Sequence, residues 1–283
     1  MDVREHYNAR KQQAPEERKE SVIIGLRKFN NWVKAVLINR CVVNENSYIL
    51  DMACGKGGDL LKYIKTGKVA KYVGIDIADV SVEQAKLRYA EMGRPFQSGE
   101  FMAGDAFSEP LHHLDGFKFD LVSCQFALHY AFKSEATAKQ ALENISNALK
   151  PNGLFICTIP NADQILKLPK NKHLKITMAD DTDETNNSNV YGREYTFWLS
   201  DAIDSCPEYL VLKENFISLA KEHNLTLKEH WPFEKFYIKY GWEYHDLLKG
   251  MGVVTGYKHD RLKMTREEMQ IAALYDAYIF RKV

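Results

Sequence analysis

The sequence predicts a doubly wound α/β fold: a mostly parallel sheet with helices on both faces. Strand-like apolar runs alternate with helix-length stretches through the first 160 residues. A glycine-rich turn joins the first of these strands to the helix that follows, and acidic residues stand at the ends of the next two. This alternation specifies parallel pairing, because each parallel return needs a crossover, usually a helix.

Residues 1–20 are polar and charged and read as a flexible arm. From Ser21 an apolar period begins that predicts a helix to about Arg40. Ile23, Leu26, Val33 and Leu37 form its core-facing stripe, and Asn30 interrupts that stripe with an amide that needs partners if it is buried. The runs SYILDMA (47–53), YVGIDI (72–77), FMAGDA (101–106), FDLVSCQ (119–125) and GLFICTIP (153–160) supply five strands. Between Pro160 and Tyr195 the pattern breaks: Lys167, Lys170, Lys172 and Lys175 precede ADDTDETNNSN, which is too polar to pack and is expected to be mobile. YTFWL and EYLVLK then predict a hairpin flanking Ser205, Cys206 and Pro207, a small lobe over the carboxyl edge of the sheet. LTLKEHWPF (225–233) and LYDAYIFRKV (274–283) complete a seven-stranded sheet, the last strand antiparallel at or near the edge, with a long polar-aromatic helical stretch between them. The expected organisation is one catalytic domain, residues 21–283, with a polar excursion at about 161–194.

A chain of 283 residues, 45% of them hydrophobic, can bury a large core without disulfides or metal. Lysine plus arginine equals aspartate plus glutamate at 38 each, so the whole molecule has no net attraction for a polyanion and any RNA contact needs a local basic patch. Five widely spaced cysteines with no CxxC pair argue for reduced thiols and against a zinc module, so no metal is expected. No apolar run approaches ~18 residues, and the charged N-terminus lacks the apolar core of a signal peptide. A soluble protein that does not cross a membrane is expected.

The strand SYILDMA runs into CGKGGDLLKY, where Gly55, Gly57 and Gly58 let a ligand approach the backbone. Position 60 is Leu, not the third glycine of a dinucleotide loop, and the GK[ST] ending of a triphosphate loop is missing. Asp59 at the helix start disfavours an anion and suits a ligand carrying an amino group and a sulfonium, which favours S-adenosylmethionine. Asp76, ending the second strand, can accept hydrogen bonds from ribose hydroxyls, and Asp105, ending the third, can reach an adenine amino group. A helix cap or turn residue is the ordinary alternative for each carboxylate. Lys34, one turn beyond Asn30, can pair with a ligand carboxylate, where a solvated lysine would be the default.

KFNNWVKAVLI, DMACGKGGDLLK, GIDIADVSVEQAKLRY, SCQFALHYAF, IPNAD, PEYLV and LYDAYIF together resemble the eukaryotic mRNA cap guanine-N7 methyltransferases, over roughly residues 5–283. The glycine loop alone indicates only some class I methyltransferase, whereas FNNW with QFxxHY and the late PEYLV is distinctive. The resemblance implies a class I methyltransferase (Rossmann-like) fold that takes S-adenosylmethionine, acts on capped RNA in the nucleus, and works beside other capping enzymes or an activating subunit. It implies a cofactor site of Lys34, Ala53, Gly55, Asp59, Asp76, Asp105, Ala106, Gln125 and Tyr130. It implies guanine contacts from His129, Tyr130 and Pro160, with Glu208 accepting the N1 and N2 protons and Tyr275 closing the pocket. It also implies that Asn30 and Asn31 support that junction and that Lys56, Lys62 and Arg88 lie along the triphosphate bridge. Ala53 stands where the family usually has glycine, and residues 161–194 match poorly, so no role is carried to them.

Guanine N7 has an available lone pair, so a methyl transfer to it needs no residue to take a proton. That agrees with a sequence showing no Ser-His-Asp set or carboxylate dyad; His129, Tyr130, Glu208 and Tyr275 would act by position and by charge. A methyltransferase for another RNA or a small molecule, and a catalytically silent cap-binding module, are the alternatives.

Overall fold

The computed structural model describes residues 4, 8, 20–114, 116–179, 190–255 and 261–283. The arm at 1–20 therefore lies outside the described residues apart from Arg4, Asn8 and Glu20, as does most of ADDTDETNNSN.

The first helix, α1 (Ile24–Cys41), buries Leu26, Phe29, Trp32, Val33, Val36 and Leu37, a wider face than the stripe read from the sequence. Phe29 and Trp32 broaden it because two rings, Phe236 and Tyr237, pack across Trp32 from a later helix. Asn30 is only half-buried as a residue, although its Oδ1 is sealed from solvent.

Five strands alternate with helices as the periodicity requires. They are β1 (Ser47–Met52), α2 (Leu60–Thr66), β2 (Val69–Asp76), α3 (Asp79–Glu91), β3 (Ser98–Ala103), β4 (Phe119–Gln125), α4 (Glu135–Ala148) and β5 (Leu149–Pro160). The Gly104-Asp105-Ala106 part of the third run lies beyond the strand as a turn, because the Asp105 carboxylate accepts from the amides of Phe107 and Ser108 and bends the chain. After α5 (Ala162–Ile165), β6 (Leu174–Met178), β7 (Glu194–Leu199) and β8 (Ile203–Tyr209) form a separate antiparallel sheet. The chain closes with α6 (Lys213–Glu222), β9 (Leu225–Pro232), α7 (Phe233–Tyr240), α8 (His245–Gly250), α9 (Arg266–Ala272) and β10 (Tyr275–Lys282).

The main sheet has the order β3-β2-β1-β4-β5-β10-β9. β1 to β5 run parallel, and β10 pairs antiparallel with both β5 and β9, one place in from the edge. The central strands β1 and β4 are buried on both faces, as crossover helices on both sides demand. Strand order reverses between β1 and β4, and a crevice opens outside their carboxyl ends at that switch point.

The lobe differs from its sequence reading in two places. Ser205, Cys206 and Pro207 lie inside β8 and not in a turn, since Phe197 pairs with Cys206 and Thr196 with Pro207; the reversal falls at 200–202. The lysine-rich piece is not wholly irregular: Asn171 donates to the Glu267 carbonyl of α9, and β6 pairs with β7 from Leu174 to Met178. Among the described residues, the long helical stretch before β10 is three short helices. Among the described residues, no helix is long and apolar enough to cross a membrane.

Candidate active site

A cavity of about 630 Å³ opens at the carboxyl ends of β1 to β4. Lys34, Ala53, Gly55, Asp76, Asp105, Ala106, Gln125 and Tyr130 all line it, so residues spread over about a hundred positions of sequence converge on one space.

The turn after β1 is shaped by left-handed backbone: Ala53 has φ +55° and Gly55 φ +52°. Glycine takes this conformation freely, whereas a Cβ costs about 1–2 kcal/mol there. That is a physical reason for glycine to be common at position 53. Asp76 fastens the same turn from β2, its carboxylate accepting from the amides of Gly55 (2.7 Å) and Ala78 (2.9 Å). Burial nonetheless raises its pKa above the ordinary carboxylate range, against those two amides. Asp105 caps its own turn, with Oδ1 2.9 Å from Phe107 N and 3.0 Å from Ser108 N. Gln125 at the end of β4 is held from both sides, donating to Ser123 and accepting from Thr158.

Asp59 does not line the cavity. It begins α2 without capping it, because its carboxylate turns to two ammonium groups. Lys34 Nζ is 2.7 Å from one oxygen and 2.9 Å from the other, and Lys62 Nζ is 2.6 Å away and also 2.8 Å from Asn31 Oδ1. Burial opposes ionisation of Asp59, but the two lysines outweigh it and hold the carboxyl well below its usual range. Lys34 thus borders the cavity while Lys62 and Asn31 stand on the other side of one shared anion. Behind them, Asp51 is buried on β1, accepts from the Tyr72 hydroxyl at 2.7 Å, and is pushed up to about 7 by burial and by the Asp59 charge.

A second group gathers where β4, β5, β8 and β10 meet. Glu208 on β8 and His129 after β4 are 3% and 2% exposed, with Glu208 Oε1 3.5 Å from His129 Nε2. The Tyr195 hydroxyl donates to Glu208 Oε2 at 2.7 Å; burial and Glu208 raise its pKa, and Tyr275 is among its neighbours. The His129 and Tyr130 rings lie 4.3 Å apart, and the Tyr130 hydroxyl is 3.6 Å from Cys206 Sγ. Tyr275 pairs with Pro160 across the β10–β5 ladder and meets Phe126 edge-on at 5.0 Å. Phe126 itself sits at φ +59° and lies under Lys34 Nζ at 5.9 Å, joining the two groups. Among the described residues, both His129 ring nitrogens and Asn30 Oδ1 are buried with no hydrogen-bond partner.

Every expected site residue other than Asn30, whose buried Oδ1 is tied to neither group by a hydrogen bond, lies in one of these two groups except Lys56 and Arg88. Those two are half-buried and do not line the cavity. Residues here that were not picked out from the sequence include Asp51, Phe126, Tyr195 and Phe233, whose ring lies 5.8 Å from Tyr275, and Lys133 and Tyr209 of the cavity lining. Asp51 opens the DMACGKGGD segment, and Tyr195 begins the buried-alternate pattern of YTFWL, so a signal existed for both.

A family model described as the mRNA (guanine-N(7))-methyltransferase domain matches residues 1–283. The mRNA cap guanine-N(7) methyltransferase of Schizosaccharomyces pombe is 40% identical over 306 residues, covering 99% of this chain and 81% of that protein. The protein of that name from Cryptococcus neoformans strain B-3501A is 40% identical over 293 residues, and the chain spans only 41% of its length. Among solved structures, an S-adenosylmethionine-dependent methyltransferase from Clostridium acetobutylicum matches with TM-score 0.53 at 14% identity, covering 90% of this chain and 92% of that one. The CcbJ methyltransferase from Streptomyces caelestis matches with TM-score 0.58 at 12% identity, covering 90% and 96%. At such identities the structures speak for the fold alone, while the sequence matches show the family. The chain belongs to the mRNA (guanine-N(7))-methyltransferase family.

Proposed function

We propose that this chain transfers the methyl group of S-adenosylmethionine to N7 of the guanine of an mRNA 5′ cap, which implies the nucleus as its compartment and capped RNA as its partner. The observation that carries the reading is the juxtaposition of two unlike groups: a cavity lined by Lys34, Asp76, Asp105 and Gln125, and beside it a buried carboxylate and imidazole.

The first group fits S-adenosylmethionine by the chemistry of its donors and acceptors. Asp76 and Asp105 are acceptors for ribose hydroxyls and an adenine amino group, and Lys34, held from behind by Asp59 outside the cavity, is a cation for the amino-acid carboxylate. Bound there, the cofactor supplies an electrophilic methyl group.

The second group fits guanine. Glu208 offers a carboxylate to the two donors on one edge of the base, whereas adenine presents an acceptor at N1 and would leave that carboxylate unpaired. His129 brings two buried nitrogens that need hydrogen-bond partners, which a polar base supplies. Tyr130, Pro160 and Tyr275 are apolar walls, and Lys62 beside Asn31 is a cation for the triphosphate. Because guanine N7 needs no deprotonation, the residues act by aligning it and by excluding water.

The test is transfer of label from S-adenosylmethionine to GpppG-RNA and ApppG-RNA. Label on guanine N7, absent with ApppG-RNA, is the expected result; cofactor binding without that transfer refutes the assignment.

A further inference from the structure

Behind the wall formed by Pro160 and Tyr275 lies a polar cluster to which no role has yet been given. Asp276 is 1% exposed, and its Oδ2 accepts from His230 Nε2 on β9 at 2.8 Å and from Asn161 Nδ2 at 2.9 Å, with the Tyr278 hydroxyl at 3.4 Å. Successive residues of a strand face opposite sides of the sheet, so Asp276 points away from the face that Tyr275 presents to Phe126 and Phe233. The cluster therefore stands outside the space proposed for guanine.

Its position on the ladder gives it a consequence. Tyr275 and Pro160 form a non-hydrogen-bonded pair of the antiparallel ladder, so the missing amide hydrogen of Pro160 takes no bond from β10. The ladder bond beside this pair comes from the next residue: Asn161 N donates to the Leu274 carbonyl at 2.7 Å. Its side chain also works in two directions, Nδ2 to Asp276 and Oδ1 to the amide of Gln164 in the first turn of α5. One carboxylate thus fastens the residue after Pro160, the residue after Tyr275, and the edge strand β9 at His230. A buried carboxylate is tolerated only with such donors, so the three side chains hold one geometry or lose it together.

We propose that Asp276, His230 and Asn161 are positioning residues that set the separation of Pro160 and Tyr275, and so the affinity for the cap guanine, without touching either substrate. This rests on the reading of Pro160 and Tyr275 as walls of the guanine site. Loosening the cluster should weaken capped RNA and leave the cofactor cavity, which none of the three residues lines, as it was.

The test is steady-state methyl transfer with the wild type, His230→Ala, His230→Gln and Asn161→Ser. The serine hydroxyl can keep the α5 cap but is too short to serve Asp276, so that variant breaks the cluster even where His230→Ala fails to fold. Expected is a KM for GpppG-RNA raised about tenfold, ~1.4 kcal/mol, in His230→Ala and Asn161→Ser. The KM for S-adenosylmethionine and kcat should stay within about twofold, and the amide of His230→Gln should restore most of the loss. Parallel increases in both KM values, or a lowered melting temperature with both KM values unchanged, would overturn the proposal. A wild type that does not methylate GpppG-RNA would overturn the guanine reading and this proposal with it.

Discussion

Asp51→Asn separates the charge of a buried carboxylate from its shape, and the structure fixes both the sign and the size of the effect. Asp51 is 3% exposed, accepts from Tyr72 at 2.7 Å and titrates at about 7, because burial and the neighbouring Asp59 charge both penalise its ionised form. In the unfolded chain it titrates at about 3.9. Between those two values the folded protein keeps a proton that the unfolded chain has released, so stability falls as pH rises through the window and levels off above it. The full span is about 4 kcal/mol. Asparagine keeps an acceptor for Tyr72 but cannot ionise, and it forfeits ~1 kcal/mol of charge assistance in that hydrogen bond. The variant should therefore be about 2–3 kcal/mol more stable than the wild type at pH 8, which for a chain of 283 residues is a rise in Tm of about 4 °C. The advantage should vanish by about pH 4. Urea or thermal unfolding of both proteins from pH 4 to 8 measures the difference directly, with titrating groups remote from Asp51 cancelling between them. Parallel pH curves, or a variant less stable at pH 8, would refute the reasoning.

Asp59 carries the opposite sign: its depressed pKa gives stability that is present above the unfolded value of about 3.9 and is lost as pH falls below it. Asp59→Asn, leaving Lys34 and Lys62 without their shared anion, should cost about 3 kcal/mol at pH 7 in urea unfolding, a deficit that shrinks toward pH 3. Glu208→Gln should lower kcat/KM on GpppG-RNA by at least about 100-fold while calorimetry finds S-adenosylhomocysteine bound within about twofold of wild type; equal losses in both would make Glu208 a structural residue. Glu268, 3% exposed, caps its own helix α9 through Thr265 and also accepts from Leu26 N at the start of α1, so Glu268→Ala should cost about 2–3 kcal/mol in thermal unfolding. At Ala53, φ +55°, relief of the Cβ and the added freedom of the unfolded chain nearly cancel. Ala53→Gly should therefore stay within about 1 kcal/mol of wild type by the same measurement, while the β-branched Ala53→Val loses about 2 kcal/mol.

The main sheet was legible because its strands are marked by hydrophobicity and bounded by glycine or acidic residues, as in SYILDMACGKGG, and those signals depend on near neighbours alone. The lobe was less so. Ser205, Cys206 and Pro207 look like a turn in isolation, yet pairing with Thr196 and Phe197 holds them in a strand, with Ser205 at φ +49°. That is a long-range pairing overriding local propensity. In the lysine-rich piece, β6 forms because Leu174 and Ile176 reach the apolar face beneath Leu199 and Phe197, and a low count of apolar residues hides how well two of them are placed.

The candidate site was legible for residues on motifs and obscure for residues that only support them. Asp51, Tyr195 and the Asp276 cluster lie outside the cavity lining and act through Asp59, Glu208 and the Pro160–Tyr275 pair, contacts that no spacing rule encodes. The carboxylates that line the cavity pose the converse problem, since a turn cap and a ligand residue carry the same sequence signature. Here the alternatives are not exclusive. Asp76 ties the β1 turn to β2 and Asp105 bends its own loop, each through backbone amides that fix its carboxylate before any ligand arrives. Each oxygen retains further lone pairs, so the structural bonds do not consume the site. They immobilise it, and the rotamer freedom already given up in folding is not lost again on binding. A residue whose bland role is satisfied is for that reason better suited to the specific one.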